Sequence, residues 1–313
     1  MSTTFAFVFP GQGSQAVGML DAWGDHPEVQ RTLAEASAAL GEDIAALIKS
    51  GPKEQLDLTT NTQPVMLTAG IACYRAWLAE TGLVPAAAAG HSLGEYTALV
   101  AAGALSLADA LPLVRFRAQA MQEAVPVGAG AMYAILGLDG EVVRETCRQV
   151  AASSGEVIEA VNFNDPKQTV IAGSKAGAEK AAEALKAAGA KRALPLPVSA
   201  PFHSSLMKPA ADKLKGKLAT TDFAALQFPV INNIDVAVVG SAETLRDALY
   251  RQAFGPVRWV EVVQALKARG IHHIIECGPG KVLAGMAKRI DGEIISTTVL
   301  DPASLAEARA LLA

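Results

Sequence analysis

The 313-residue chain is long enough to bury a large core in one or two domains, and 51% hydrophobic with 19% charged residues is a globular composition. A formal net charge of −4 provides no basic field, which excludes nucleic acid as an expected partner. The start MSTTFAFVFPGQG has neither a basic leader nor a long apolar run, and ALVAAGAL (98–105) is too short to cross a bilayer. No membrane association and a cytoplasmic location are therefore expected. Cys73, Cys147 and Cys277 are far apart and form no C-x-x-C pair, so they read as buried, reduced thiols without a zinc site.

In chain order, FAFVF (5–9) reads as a short buried strand that ends at the glycine-rich turn PGQGSQ (10–15). Helical patterns follow, the longest being the mostly apolar 62–80, a well-covered central helix. VPAAAAG (84–90) is a small-residue strand, GEYTALVAAGAL a helix, and 106–125 a further helix. Ser106 with Asp109 three positions on resembles a capping box with Asp in the usual Glu place. After Pro126 come a strand (131–137), a helix (139–153), strands at 157–163 and 168–173, a helix (174–190) and a strand (191–199). This β-α-β-β-α-β order is ferredoxin-like, and it predicts a small inserted domain at 128–199. Segments 1–127 and 200–313 then form the large domain. The rest returns to alternating elements: helix 205–219, strand 228–233, helices 243–254 and 259–269, strand 271–277, a GPG turn and a helix from Lys281. The fold class is α/β, with a mainly parallel sheet.

Gly90-His91-Ser92-Leu93-Gly94 is a G-x-S-x-G pattern between a strand and a helix, where a nucleophile elbow sits. The following helix start turns amide groups and positive dipole toward the serine. Ser92 is the candidate nucleophile and needs a base. Of five histidines, His91 adjoins Ser92 on a sharp turn, from which the two side chains diverge. His26 opens a polar helix start. His272 and His273 face opposite sides of a strand, one of them toward the core. His203, in APFHSSLM at the junction after the insert, is the candidate base. The Leu93 amide is one oxyanion donor. Gln12 in the glycine-rich turn is the other, because that turn leaves a parallel strand on the same sheet edge as the elbow.

FVFPGQGSQ, GHSLGEYTAL, RAQAMQEAVP, VNFNDPKQTVIAG, APFHSSLMKPAADKL and ECGPGKVL occur in this order across nearly the whole chain. Together they resemble the malonyl-CoA:acyl carrier protein transacylases of type II fatty acid synthesis, which are related to the acyltransferase domains of fatty acid and polyketide synthases. The resemblance implies an α/β-hydrolase-like core with a ferredoxin-like insertion, Ser92 as nucleophile and His203 as base. It implies Gln12 and Leu93 in the oxyanion hole, and Arg117 rather than nearby Arg115 on the malonyl carboxylate. It places Gln252 behind His203 through a backbone carbonyl, and His91 in the pocket wall. Phe202 accompanies malonyl choice in related polyketide enzymes. A fork-shaped guanidinium suits a carboxylate that enters a partly dry pocket. The reaction implied is ping-pong transfer from malonyl-CoA to acyl carrier protein for fatty acid biosynthesis, by a monomer without metal or redox cofactor. Carrier proteins are typically acidic, so Lys191, Arg192, Lys208, Lys213, Lys215 and Lys217, close in sequence to His203, are a candidate docking patch. The alternatives are a polyketide-type malonyl acyltransferase, a serine esterase or thioesterase, and a silent carrier-binding scaffold.

Overall fold

The computed structural model describes residues 3–198 and 200–313. Its larger sheet has five strands: β1 (Phe5–Phe9), β2 (Ala87–Gly90), β7 (Val230–Ile231), β8 (His273–Cys277) and β9 (Ile295–Val299). They run in the order β7-β2-β1-β8-β9, and every pairing is parallel. A central parallel strand is covered on both faces, so β1 is apolar throughout rather than alternating. Phe5, Phe7 and Phe9 point to one side, against Tyr74 and Trp77 of the helix Thr59–Thr81. Ala6 and Val8 point to the other, against Val262, Val263 and Leu266 of the helix Trp259–Ala268.

The second sheet has β3 (Gly130–Leu136), β4 (Ile158–Asp165), β5 (Gln168–Ser174) and β6 (Arg192–Pro195). It is antiparallel, in the order β4-β5-β3-β6. One face carries the helices Gly140–Ser154 and Lys175–Ala187, with Ile135, Val143, Ile171 and Leu185 between them. The other face packs Met132, Val161 and Val170 toward Met121, Phe202 and Met207. These four strands lie within the expected insert, whose end at residue 199 lies outside the described residues.

Several expectations need correction. The strand expected over 191–199 stops at Pro195: Leu196 N still donates to Met132 O of β3 at 2.9 Å, but Val198 N turns back to donate to Leu196 O at 2.8 Å, so the chain leaves the ladder there. The strand expected over 228–233 is only Val230–Ile231. Ser106 caps its helix by accepting from Asp109 N at 3.0 Å. However, the short Asp109 carboxylate takes the Ser106 hydroxyl at 2.6 Å instead of closing a capping box. Neither His272 nor His273 is buried, since both lie at the amino-terminal end of β8, at the rim of the sheet. Beyond the last expected helix, β9 and the helix Pro302–Leu312 complete the larger sheet's flank.

Candidate active site

In a parallel sheet the loops that follow each strand gather at one edge. Here that edge collects the turn after β1 (Gln12), the turn after β2 (Ser92) and the turn after β7 (Asn233). Ser92 lies between β2 and the helix Leu93–Ala101, with φ 53° and ψ −107°, a backbone conformation that a residue with a side chain seldom adopts. The two flanking glycines are required by close approach. A Cβ on Gly90 would lie 1.9 Å from the Gly94 carbonyl, and one on Gly94 would lie 2.0 Å from Phe9 O. Polar clamps hold the elbow. Asn233 Oδ1 accepts from Ser92 N at 2.8 Å and Asn233 Nδ2 donates to Gly90 O at 2.7 Å. Gln252 Nε2 donates to Ser92 O at 2.8 Å.

Ser92 Oγ lies 2.7 Å from His203 Nε2. His203 Nδ1 lies 3.0 Å from the backbone carbonyl of Gln252. A carbonyl can only accept, so Nδ1 carries the proton and Nε2 is left to accept from the serine hydroxyl. His203 is buried, and burial, reinforced by the nearby Arg117 charge, pushes its pKa down to about 3. The imidazole is therefore neutral around pH 7. A main-chain carbonyl, rather than a carboxylate, orients it.

Arg117, on the helix Leu107–Gln122, is 2% exposed. Nη1 donates to Gln63 Oε1 at 2.8 Å, and Nη2 donates to Gln252 Oε1 at 3.0 Å and to Ser92 Oγ at 3.2 Å. Its carbon stands 5.4 Å from the centre of the Tyr96 ring. All of these partners are neutral, so the guanidinium keeps its charge for an incoming anion. Arg115 instead points away and binds Glu42 with both Nη atoms, at 2.9 and 2.7 Å. The helix period separates them: two positions along a helix is about 200°, so one arginine faces the site and the other faces outward.

Ser92, Arg117 and His203 line a cleft of about 130 Å³ together with Gln12, His91, Leu93 and Phe202. Gln12 Nε2 donates to Thr59 Oγ1 at 3.2 Å. His91 Nε2 is 2.8 Å from Asn164 Oδ1 and its ring is 5.5 Å from that of Trp259; burial lowers its pKa. Phe202 is buried next to His203 in the chain. Gln252 is wholly buried behind the cleft and reaches the site through both its carbonyl and its side chain. The six cations of the expected docking patch are all exposed. Lys208 pairs with Asp212 at 2.5 Å and Lys213 with Glu123 at 3.3 Å.

Four polar side chains of the site escape the sequence reading: Gln63, Glu95, Asn164 and Asn233. Glu95 leaves one signal, a lone charge in the otherwise apolar helix LGEYTALVA. The other three are ordinary polar residues that chain folding brings in from 54, 73 and 141 positions away. Among the described residues no group of three or more His, Cys, Asp or Glu side chains could hold a metal ion, and no helix is long and apolar enough to cross a membrane.

A parallel α/β sheet with a serine elbow backed by a buried imidazole defines a class, and the acyl transferase domain family matches residues 6–292. The malonyl CoA-acyl carrier protein transacylase of Escherichia coli K12 is 53% identical over 307 residues, covering 98% of this chain and 99% of that one. That of Bacillus subtilis is 45% identical over 301 residues, covering 96% and 94%. Among solved structures, the acyl-carrier-protein S-malonyltransferase of Burkholderia pseudomallei superposes with a TM-score of 0.96 at 65% identity, covering 98% and 99%. A malonyl-transacylase in complex with a type II PKS acyl-carrier protein gives 0.95 at 51% identity, covering 98% and 99%. This chain belongs to the malonyl CoA-acyl carrier protein transacylase family.

Proposed function

We propose that this protein moves a malonyl group from malonyl-CoA to the phosphopantetheine thiol of an acyl carrier protein, through an ester on Ser92. The observation that carries this reading is a buried guanidinium with only neutral partners, 3.2 Å from an oxygen that is itself 2.7 Å from a neutral imidazole. His203 Nε2 takes the hydroxyl proton as Ser92 Oγ attacks the thioester carbon. The amides of Gln12 and Leu93 receive the oxyanion, the latter at a helix start where the dipole favours negative charge. When the tetrahedral species collapses, the carbon–sulfur bond breaks and His203 returns the proton to the coenzyme A sulfur. In the second half the carrier thiol gives its proton to His203 and attacks the Ser92 ester, and the serine oxygen recovers that proton on leaving. Arg117 pairs with the free carboxylate of the malonyl group throughout.

The names of the relatives support the carrier partner and the fatty acid role. A type II PKS carrier in complex with a similar protein keeps a polyketide carrier as the second reading of the acceptor. His91 and Phe202 shape the malonyl pocket. We place the protein in the cytoplasm as a monomer, with 128–199 as a ferredoxin-like inserted small domain. The test is intact mass with peptide mapping after brief exposure to malonyl-CoA. A malonyl adduct on Ser92 that is discharged by phosphopantetheinylated carrier supports transfer. Steady release of free malonate without an adduct supports hydrolysis instead, and neither adduct nor turnover supports a silent scaffold.

A further inference from the structure

We propose that Glu95 is a positioning residue for this reaction, its buried carboxyl oxygen joining Gln252 to Asn233 and through them aligning the elbow, the base and Arg117. This rests on the reading of Ser92 and His203 given above. Glu95 lies three residues after Ser92, on the first turn of the following helix, and is 2% exposed. Its Oε2 accepts from Asn233 N at 2.9 Å and from Gln252 Nε2 at 3.1 Å. Those donors lie 138 and 157 positions away in the chain, so three distant segments meet at one oxygen.

Each donor leads directly to the reacting groups. The Gln252 carbonyl holds His203 Nδ1, its Oε1 holds Arg117, and its Nε2 also holds the Ser92 carbonyl. The Asn233 side chain bridges the two ends of the strained elbow, Gly90 O and Ser92 N. Without an acceptor at Glu95 Oε2, the Asn233 N–H would be left buried and unpaired, and Gln252 Nε2 would keep only its bond to Ser92 O. The Gln252 amide would then be free to turn and lose its hold on Arg117.

Burying a carboxyl group is unfavourable, and an apolar side chain would fill the same space at less cost. What an apolar side chain cannot supply is an acceptor for two converging donors. Burial raises the Glu95 pKa to about 7, against the lowering effect of its hydrogen bonds and of Arg117. In either protonation state one carboxyl oxygen still accepts. The acceptor and its reach, more than the charge, are therefore what the site requires.

The experiment compares the wild type with Glu95→Gln and Glu95→Asp in the full-length protein. It records melting temperature and the burst rate of Ser92 acylation by malonyl-CoA, and separately by neutral p-nitrophenyl acetate. Glu95→Asp keeps the charge but is one methylene short. It is expected to slow acylation by both reagents by about 10- to 100-fold, as small misplacements of reacting groups do, and to slow malonyl-CoA the more, because its carboxylate depends on Arg117. Glu95→Gln keeps the reach and one acceptor oxygen, and is expected to restore the rate. Wild-type rates in Glu95→Asp, or Glu95→Gln as slow as Glu95→Asp, overturn the proposal. A lowered melting point with unchanged rates shows a merely structural role and also overturns it. If Glu95→Asp does not fold, Glu95→Met, which keeps the reach but offers no acceptor, takes its place: a slowing of about tenfold or more supports the proposal, and a wild-type rate overturns it. A wild type that never acylates Ser92 overturns the functional reading itself, which separates the two failures.

Discussion

Replacing Arg117 by Ala removes the buried cation beside Ser92 and leaves the malonyl carboxylate to enter the cleft unpaired. The cost is set by burial. Arg117 is 2% exposed, and its three hydrogen-bond acceptors, Gln63, Gln252 and Ser92, are neutral. Stranding one member of a buried charge pair costs about 3–5 kcal/mol. At about 1.4 kcal/mol per decade, that is roughly two to four orders of magnitude in kcat/KM for malonyl-CoA. Acetyl-CoA brings no carboxylate, so it avoids this penalty and bears only the rearrangement of Gln63 and Gln252. The malonyl-to-acetyl ratio should therefore collapse toward one, and the absolute acetyl rate should fall much less. The assay is the rate of adduct formation on Ser92 by intact mass, with each thioester alone and the two in competition. An Arg117→Ala protein that folds and still prefers malonyl by the wild-type factor would refute the assignment and direct the search to another cation.

Because burial and Arg117 depress the His203 pKa to about 3, the imidazole stays a free base as pH falls. Acylation of Ser92 by a neutral ester should then be level from pH 8 to pH 5, measured as burst rate; half-loss near pH 6.5 would show an ordinary, solvated histidine. Gly94→Ala would drive a Cβ to 2.0 Å from Phe9 O, a contact between two backbones with no flexible side chain to yield. Thermal melting should show at least about 3 kcal/mol of destabilisation, in the range of severe core overpacking; a wild-type melt would mean the elbow is looser than described. Charge reversal at Lys191, Arg192, Lys215 and Lys217, four exposed members of the basic patch, should raise the apparent KM for acyl carrier protein and leave malonyl-CoA acylation unchanged. An unaltered carrier KM removes the patch from the docking surface.

Wherever local chemistry decides, the site was readable in the chain. β1 is a run of apolar residues because both of its faces are covered. The G-x-S-x-G glycines are dictated by backbone contact, so Ser92 is marked by its neighbours in sequence. His203 follows from having few histidines to choose among and from its place after the insert. Edges were harder to read. β7 has two residues and β6 four, because an outer strand needs only a short stretch of pairing and the chain past Leu196 folds back on itself. β9, ISTTV, has the β-branched residues of a strand, yet its Ser and Thr positions lack the apolar density that marks β1. The last helix carried a signal in Asp301 and Ser304, which form a capping box.

Sequence alone thus marked the alternation of strands and helices, the elbow, and Ser92 and His203 as the candidate nucleophile and base, since each depends on residues a few positions apart or on a small set of candidate side chains. Tertiary structure decided which polar residues support them. Arg117, preferred to Arg115 in the sequence through the family resemblance alone, is set apart physically by the face each presents. Gln63, Asn233 and Gln252 meet the elbow only because strands far apart in the chain run parallel and release their loops at one edge. Glu95 shows the distinction most plainly. In the chain it is a stray charge in an apolar helix, and in the fold it is the acceptor on which the Gln252 and Asn233 segments converge. Hydrogen bonds between residues more than a hundred positions apart leave no pattern in a single sequence, because nothing in the local spacing of either partner depends on the other.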